Sequence, residues 1–469
     1  MAPLNSHIGT TRTAQASHAT RRPIAAASRS RFNSAIVVLT TWAIMVFLAR
    51  IPVTYFNLQY FSYVVYVCIL AALAGFVVSG HSVIRITVLR QVSTIALLVL
   101  PAAIGALRGL AHVHEIPGHM LTAWVEVALD ERAYVRTFFV EPMMMPVMSV
   151  VLAGAIARGL DPVRVFKPAL AMVWFFGAFV LISALSAGQS LTQLAEFAEL
   201  SRAEFLYDGG LHANVYAMYC ATVYAFILGA YGALRGRFSL WLARATLAVA
   251  TMVIFLTFSR SAVVAFVIVN TLHFWQTRLP QKVVLVGVAL LGIGVVPTGL
   301  LDRFQISSPT QDADRFSSGR LEHVWRPLLP DVMDNKVFGQ GHYSIYWTEA
   351  QQSGEIYPVV HSHNAFLDLL LDYGVFGAAA ILSFYFIIWR KFIFLSRADP
   401  VPLLRGFFGG ASLAMVVLLM SCLNGRLTPE FPHFPIWLAL GIAAGRSTNI
   451  TRPLTISKSK SPAAMPRNA

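Results

Sequence analysis

Titratable groups crowd against an apolar segment in the stretch HSHNAFLDLLLDYGVFG, residues 361–377. These groups could be metal ligands, a catalytic base, or polar residues marking where a membrane helix begins, and a histidine such as His363 can exchange protons near neutral pH. On a helix, His361 and His363 would point about 200° apart, whereas in an extended segment they share a face. A two-histidine metal site is then geometrically possible, but a tetrahedral site needs further ligands and no cysteine lies near. We therefore expect a site without metal or other cofactor. Asn364 suits the N-cap of a helix starting at Ala365, with His363 at its entrance. Asp368 and Asp372, four positions apart, suggest an acid–base pair or, more simply, two acids sharing a polar interface.

Arginines supply the second kind of chemistry. Arg260, in TFSRSAVVAF, stands where one apolar run ends and the next begins. It reads as a snorkelling interfacial residue or as an anion receptor beside the free N–H groups of a helix start. Arg320, Trp325 and Arg326 have the spacing of a short helix before a turn at Gly339 and Gly341. A charged helix packed on its tryptophan is compatible with a second arginine aimed at the same anion. HEIPGH at 114–119 is not a zinc-protease helix, because its second histidine comes one position late and a proline interrupts it. Asp312 and Asp314 resemble a metal–nucleotide motif, but the topology below puts them in the wrong compartment for one.

The elements that must position these groups are membrane helices. Of the 469 residues, 57% are hydrophobic and only 12% charged, about half the charged share of a soluble domain. Apolar runs long enough to span a bilayer recur near 35–50, 60–79, 92–109, 140–157, 168–187, 213–233, 240–257, 261–277, 282–299, 375–390, 404–422 and 432–445. The fold class is thus all-α and polytopic, with about 12 transmembrane helices and a large periplasmic loop before the third-last. Segments on the side of the termini hold 24 of the 36 Lys and Arg but 2 of the 22 Asp and Glu. The positive-inside rule then places both termini in the cytoplasm. The basic balance reports topology and gives no reason to expect nucleic-acid binding. No Walker-type phosphate loop is present. Residues 1–34 read as a basic cytoplasmic tail, 35–300 as nine helices, and 301–374 as the loop with the chemical motif. Residues 375–445 hold three more helices, and 446–469 form a second tail; both tails are expected to be disordered. Cys68, Cys220 and Cys422 read as packing residues.

Taken together, these motifs resemble the O-antigen ligase/polymerase superfamily of bacterial envelope glycosyltransferases. Its pattern H-N-x-x-L-x-x-L-x-[DE]-x-G-x-x-G is met by His363, Asn364, Leu367, Leu370, Asp372, Gly374 and Gly377. The SRS around Arg260 and the GR…W of Arg320 and Trp325 are similar to two further family elements. GGLHANVYAMY, 209–219, resembles a glycine-then-PN element and contributes Asn214, with Ala213 where proline is usual. The resemblance spans roughly 200–385.

What the resemblance implies is transfer of a glycan from a polyprenyl-diphosphate (undecaprenyl diphosphate) carrier to an acceptor sugar hydroxyl, at the periplasmic face of the bacterial inner membrane. His363 would be the general base in an inverting, metal-independent displacement. Arg260 and Arg320 would stabilise the departing diphosphate, and Asn364, Asp372, Asn214 and His361 would support substrate binding. Ligases use a lipid A–core acceptor, polymerases a second lipid-linked unit, and some relatives a protein; ligase is the leading expectation. A transporter is the alternative from another class, but it would place ionisable groups deep in several spans or show inverted repeats.

Overall fold

The structure, a computed structural model, describes residues 24–49, 51, 61–78, 82–115, 130–186, 213–257, 259–276, 319–356, 359, 361–423 and 425–450. Among these, every regular element is helical. Helices α1 (Ile24–Leu48), α2 (Phe61–Val78), α3 (Ser82–Leu110), α4 (Glu131–Ala157), α5 (Pro162–Ser186), α6 (Ala213–Tyr231), α7 (Arg237–Leu256) and α8 (Arg260–Gln276) precede the long polar segment. That segment contains the short α9 (Leu329–Asp334) and α10 (Glu349–Gln352). The chain then forms α11 (Ala365–Ala398), α12 (Pro402–Ser421) and α13 (Phe434–Ile450).

Seven helices, α3 to α7 with α11 and α12, are long and apolar enough to cross a membrane, and α1, α2 and α8 hold shorter apolar stretches. The protein is a multi-pass membrane protein. The expected spans other than 282–299 fall on described helices. The 282–299 span lies outside the described residues, together with Asp312, Asp314 and most of both tails.

Lipid is as apolar as the side chains, so membrane helices associate through close packing, and small residues let backbones meet. Gly406 and Gly410 of α12 face Gly229 of α6, where a Cβ would lie 2.2 Å from the Gly410 nitrogen. Gly441 and Gly445 bring α13 equally close to Ser149 and Ala153 of α4.

A late residue of α6 thus meets early residues of α12, and the two run antiparallel. The short connection 232–236 then reverses the chain into α7, and α8 begins four residues after α7 ends, reversing it again. The first turns of α6 and α8 and the last turn of α12 therefore share one end of the bundle. The start of α11 joins them, because the Ala365 N–H donates to the Cys422 carbonyl at 2.8 Å.

Between α12 and α13 the chain is pinned at several points. The Phe431 ring stacks on Tyr219 at 4.8 Å and meets Phe176 edge-on at 6.0 Å. The Tyr385 hydroxyl donates to the Leu427 carbonyl at 2.6 Å, and Ser421 Oγ lies 2.8 Å from His433 Nε2. This connection can therefore hold a buried side chain in a defined place.

Candidate active site

The HSHN stretch is a tight turn fixed by its neighbours. Asn364 is extended and its side-chain oxygen accepts the Phe366 and Leu367 N–H groups at 3.1 and 3.4 Å, capping α11 as its residue type predicts. The Ser362 side chain bridges to the Asn364 backbone, accepting its N–H at 3.1 Å and donating to its carbonyl at 2.9 Å. The Ser362 N–H donates to Asp368 Oδ1 at 2.9 Å, and its carbonyl accepts the Trp325 indole N–H at 2.8 Å.

His363 itself sits at φ +57°. A non-glycine residue in this left-handed region costs on the order of 1–3 kcal/mol and persists only where the surroundings impose it. Its N–H donates to His361 Nδ1 at 3.1 Å, and the two rings lie 4.0 Å apart. Since His361 Nδ1 is the acceptor, a neutral His361 carries its proton on Nε2. The two rings share a side because the turn at His363 brings them together, not because the segment is extended.

Below the turn lies a buried ion cluster centred on Arg426, which motif reading does not single out. Its Nη2 is 2.8 Å from Asp372 Oδ2, and its Nε is 3.7 Å from Asp368 Oδ2. The guanidinium carbon stands 3.6 Å from the centroid of the Tyr343 ring, an attraction of about 2 kcal/mol when desolvated. Burial disfavours the charge, but Asp372 and Asp368 overcome it and hold the Arg426 pKa well above its usual value. Glu430 accepts the Arg426 backbone N–H, and burial pushes its carboxyl up to about 7 against the pull of Arg426.

Asp372 is engaged by protein partners. It is 2% exposed, with Oδ1 accepting the Ser344 N–H and Oγ–H at 3.0 and 2.9 Å and Oδ2 held by Arg426. Through these bonds Asp372 ties the loop to α11 and to Arg426. Asp368 and Asp372 share a polar interface, the simpler of the two readings of their spacing.

The glycines of the loop permit this contact. Gly339 and Gly341 take φ of +68° and +118°, and a Cβ on Gly339 would lie 2.4 Å from the Tyr373 nitrogen. The Gln340 and Gly341 N–H groups donate to the Leu371 and Asp372 carbonyls at 2.7 and 3.0 Å, satisfying α11 where it breaks at Gly374. His342 is buried, and burial lowers its pKa well below the usual value. It hydrogen-bonds the Tyr373 hydroxyl, and its carbonyl accepts from Tyr134 at 2.5 Å.

Of the remaining expected residues, Asn214 and Arg260 lie in the first turns of α6 and α8, at the same end of the bundle as the turn. Arg260 is partly buried between Ser259 and Ser261, whose Oγ atoms are 3.4 Å apart. Arg320 is also partly buried and opens the helical turn that ends at Trp325, so the Trp325–Ser362 bond ties its segment to His363. Arg326 points elsewhere, pairing with Glu322 at 2.6 Å on an exposed face. The clue to Arg426 is its place in NGRLTPE, a cation outside the basic, cytoplasm-assigned segments. Nothing local names its partners.

Fold and site together define a multi-pass membrane protein whose chemical groups gather at one end of its helical bundle, under a glycine-rich loop. Residues 245–382, from within α7 into α11, match the family described as O-antigen ligase. This match supports the O-antigen ligase/polymerase superfamily over that stretch, a family associated with glycosyltransferase-like ligase or polymerase activity. The matched stretch contains Arg260, Arg320 and the whole His363–Gly377 motif; Asn214 and Arg426 fall outside it. No curated protein gives a significant match to the chain.

Proposed function

We propose that this protein is an inverting, metal-independent glycosyltransferase acting at the periplasmic face of the bacterial inner membrane. It moves a glycan from a polyprenyl-diphosphate carrier to an acceptor sugar hydroxyl, with lipid A–core as the leading acceptor. The observation that carries this reading is the imposed turn at His363. A left-handed histidine, held through Ser362, Asn364 and His361, is the kind of preorganised group that base catalysis requires.

In the proposed reaction, His363 removes the proton from the acceptor hydroxyl as its oxygen attacks the anomeric carbon. The bond from that carbon to the diphosphate oxygen breaks, the polyprenyl diphosphate departs with the bonding electrons, and the glycan ends on the acceptor oxygen with inverted configuration. Negative charge grows on the departing diphosphate, where Arg260 and Arg320 act as fixed cations. His361, whose Nδ1 accepts the His363 N–H, supports substrate binding by holding the turn. Asn214, in the first turn of α6, contributes an amide at the same end.

The test is transfer by purified, reconstituted His363→Asn, which suits a left-handed position without being a base. It should insert and fold as wild type while transfer falls by ~10²–10⁴-fold. Transfer at the wild-type rate would sink the assignment. Elongation of the donor glycan in place of attachment to lipid A–core would identify a polymerase.

A further inference from the structure

We infer that the segment Leu329–Phe338, comprising α9 and the turn after it, is a membrane-surface element that seats its apolar side chains in the lipid leaflet beside α11. Leu329, Met333, Val337 and Phe338 are all exposed, Met333 and Phe338 by 60% and 63%. Such side chains, close together in one polar segment, mark a contact surface.

The occupant follows from what the segment adjoins. The Val375 N–H donates to the Lys336 carbonyl at 2.8 Å, and the Phe338 and Phe376 rings lie 6.0 Å apart. The segment is thus bonded to α11 at its Gly374 break. From that break α11 runs to Ala398, about 36 Å at 1.5 Å per residue and enough to cross the hydrocarbon layer. Its outer side carries exposed Val375, Phe376, Leu382, Phe386 and Phe394, the surface that a membrane helix turns to lipid. The apolar side chains of α9 continue this surface at its upper edge.

Polar residues complete the pattern. Asp334, Asn335 and Lys336 are exposed beside the apolar group, as in an element lying at head-group depth. The part of α11 above the break, Ala365–Tyr373, then rises about 13 Å from this level. His363 would stand above the bilayer, not within it.

Site-specific fluorescence in reconstituted protein tests this, independently of any transfer assay. On a Cys68→Ser background, Met333→Cys, Phe338→Cys and the exposed control Glu355→Cys each carry an environment-sensitive dye in phosphatidylcholine/phosphatidylglycerol vesicles. Doxyl-labelled lipids should quench the dyes at 333 and 338 several-fold more than the dye at 355, and aqueous iodide should do the reverse. Iodide quenching equal to that at 355 would overturn the inference. Protection from both quenchers would also overturn it, by placing protein over the patch, whether residues 282–299 or a second copy of the chain.

Discussion

The indole N–H of Trp325 donates to the carbonyl of Ser362 at 2.8 Å, joining two motifs that are 37 positions apart. Ser362 is fully buried, and its N–H is held by Asp368. The two peptide units flanking Ser362, one of them shared with His363, are thereby each fixed from outside the turn. Trp325 and Asp368 form the frame in which a left-handed histidine is tolerated.

Trp325→Phe keeps the ring and removes the donor. An unsatisfied buried carbonyl costs about 1–3 kcal/mol, and a loosened turn displaces the His363 imidazole. Transfer at saturating donor should fall by ~10–100-fold. A wild-type rate would show that the bond does not position the histidine.

Asp372→Ala strips Arg426 of its best partner and also releases Ser344. Breaking a buried pair from one side costs about 3–5 kcal/mol, so the unfolding midpoint in detergent should drop sharply. Asp368→Asn keeps an acceptor for the Ser362 N–H and should cost less. The reverse order would mean that Asp372 is not the main anchor of Arg426.

Gly374 combines φ +62° with ψ −172°, a region that only glycine enters readily. A Cβ there would also lie 2.4 Å from the Val337 carbonyl carbon. Gly374→Ala should greatly reduce the yield of folded protein. Gly159→Ala, at φ +98° with open space around it, should be milder. Comparable yields from both variants would remove the proposed need for the break.

Stability should depend on pH through Glu430. Its carboxyl is raised from an ordinary value of 4.5 to about 7 by burial, with Arg426 opposing and Asp368 reinforcing. Between those values the folded protein holds a proton that the unfolded chain has released, so this contribution to stability falls as pH rises. His342 acts in the other direction: its lowered pKa costs stability as pH falls below its ordinary value of 6.5. Glu430→Gln should therefore raise the unfolding midpoint more at pH 8 than at pH 5, relative to wild type. A pH-independent difference between the two proteins would contradict the shift.

Much of this protein is legible locally. Apolar runs report helices because a backbone in lipid must satisfy its own hydrogen bonds. Asn364 reports a cap because its short amide can reach the N–H groups of the next turn. Asp368 and Asp372 fall on one helix face by periodicity alone, and Gly339 and Gly341 signal the turn that brings the loop onto α11. What these residues meet is a different matter. Arg426 lies 54 positions from Asp372, Trp325 lies far from Ser362, and no periodicity couples either pair. Asp372 has the same residue type whether it faces a sugar or an arginine, and His363 gives no sign in the sequence of its left-handed backbone. These outcomes depend on burial: away from water, a charge or an N–H must take the partner that packing brings to it, and only the tertiary structure decides which partner that is.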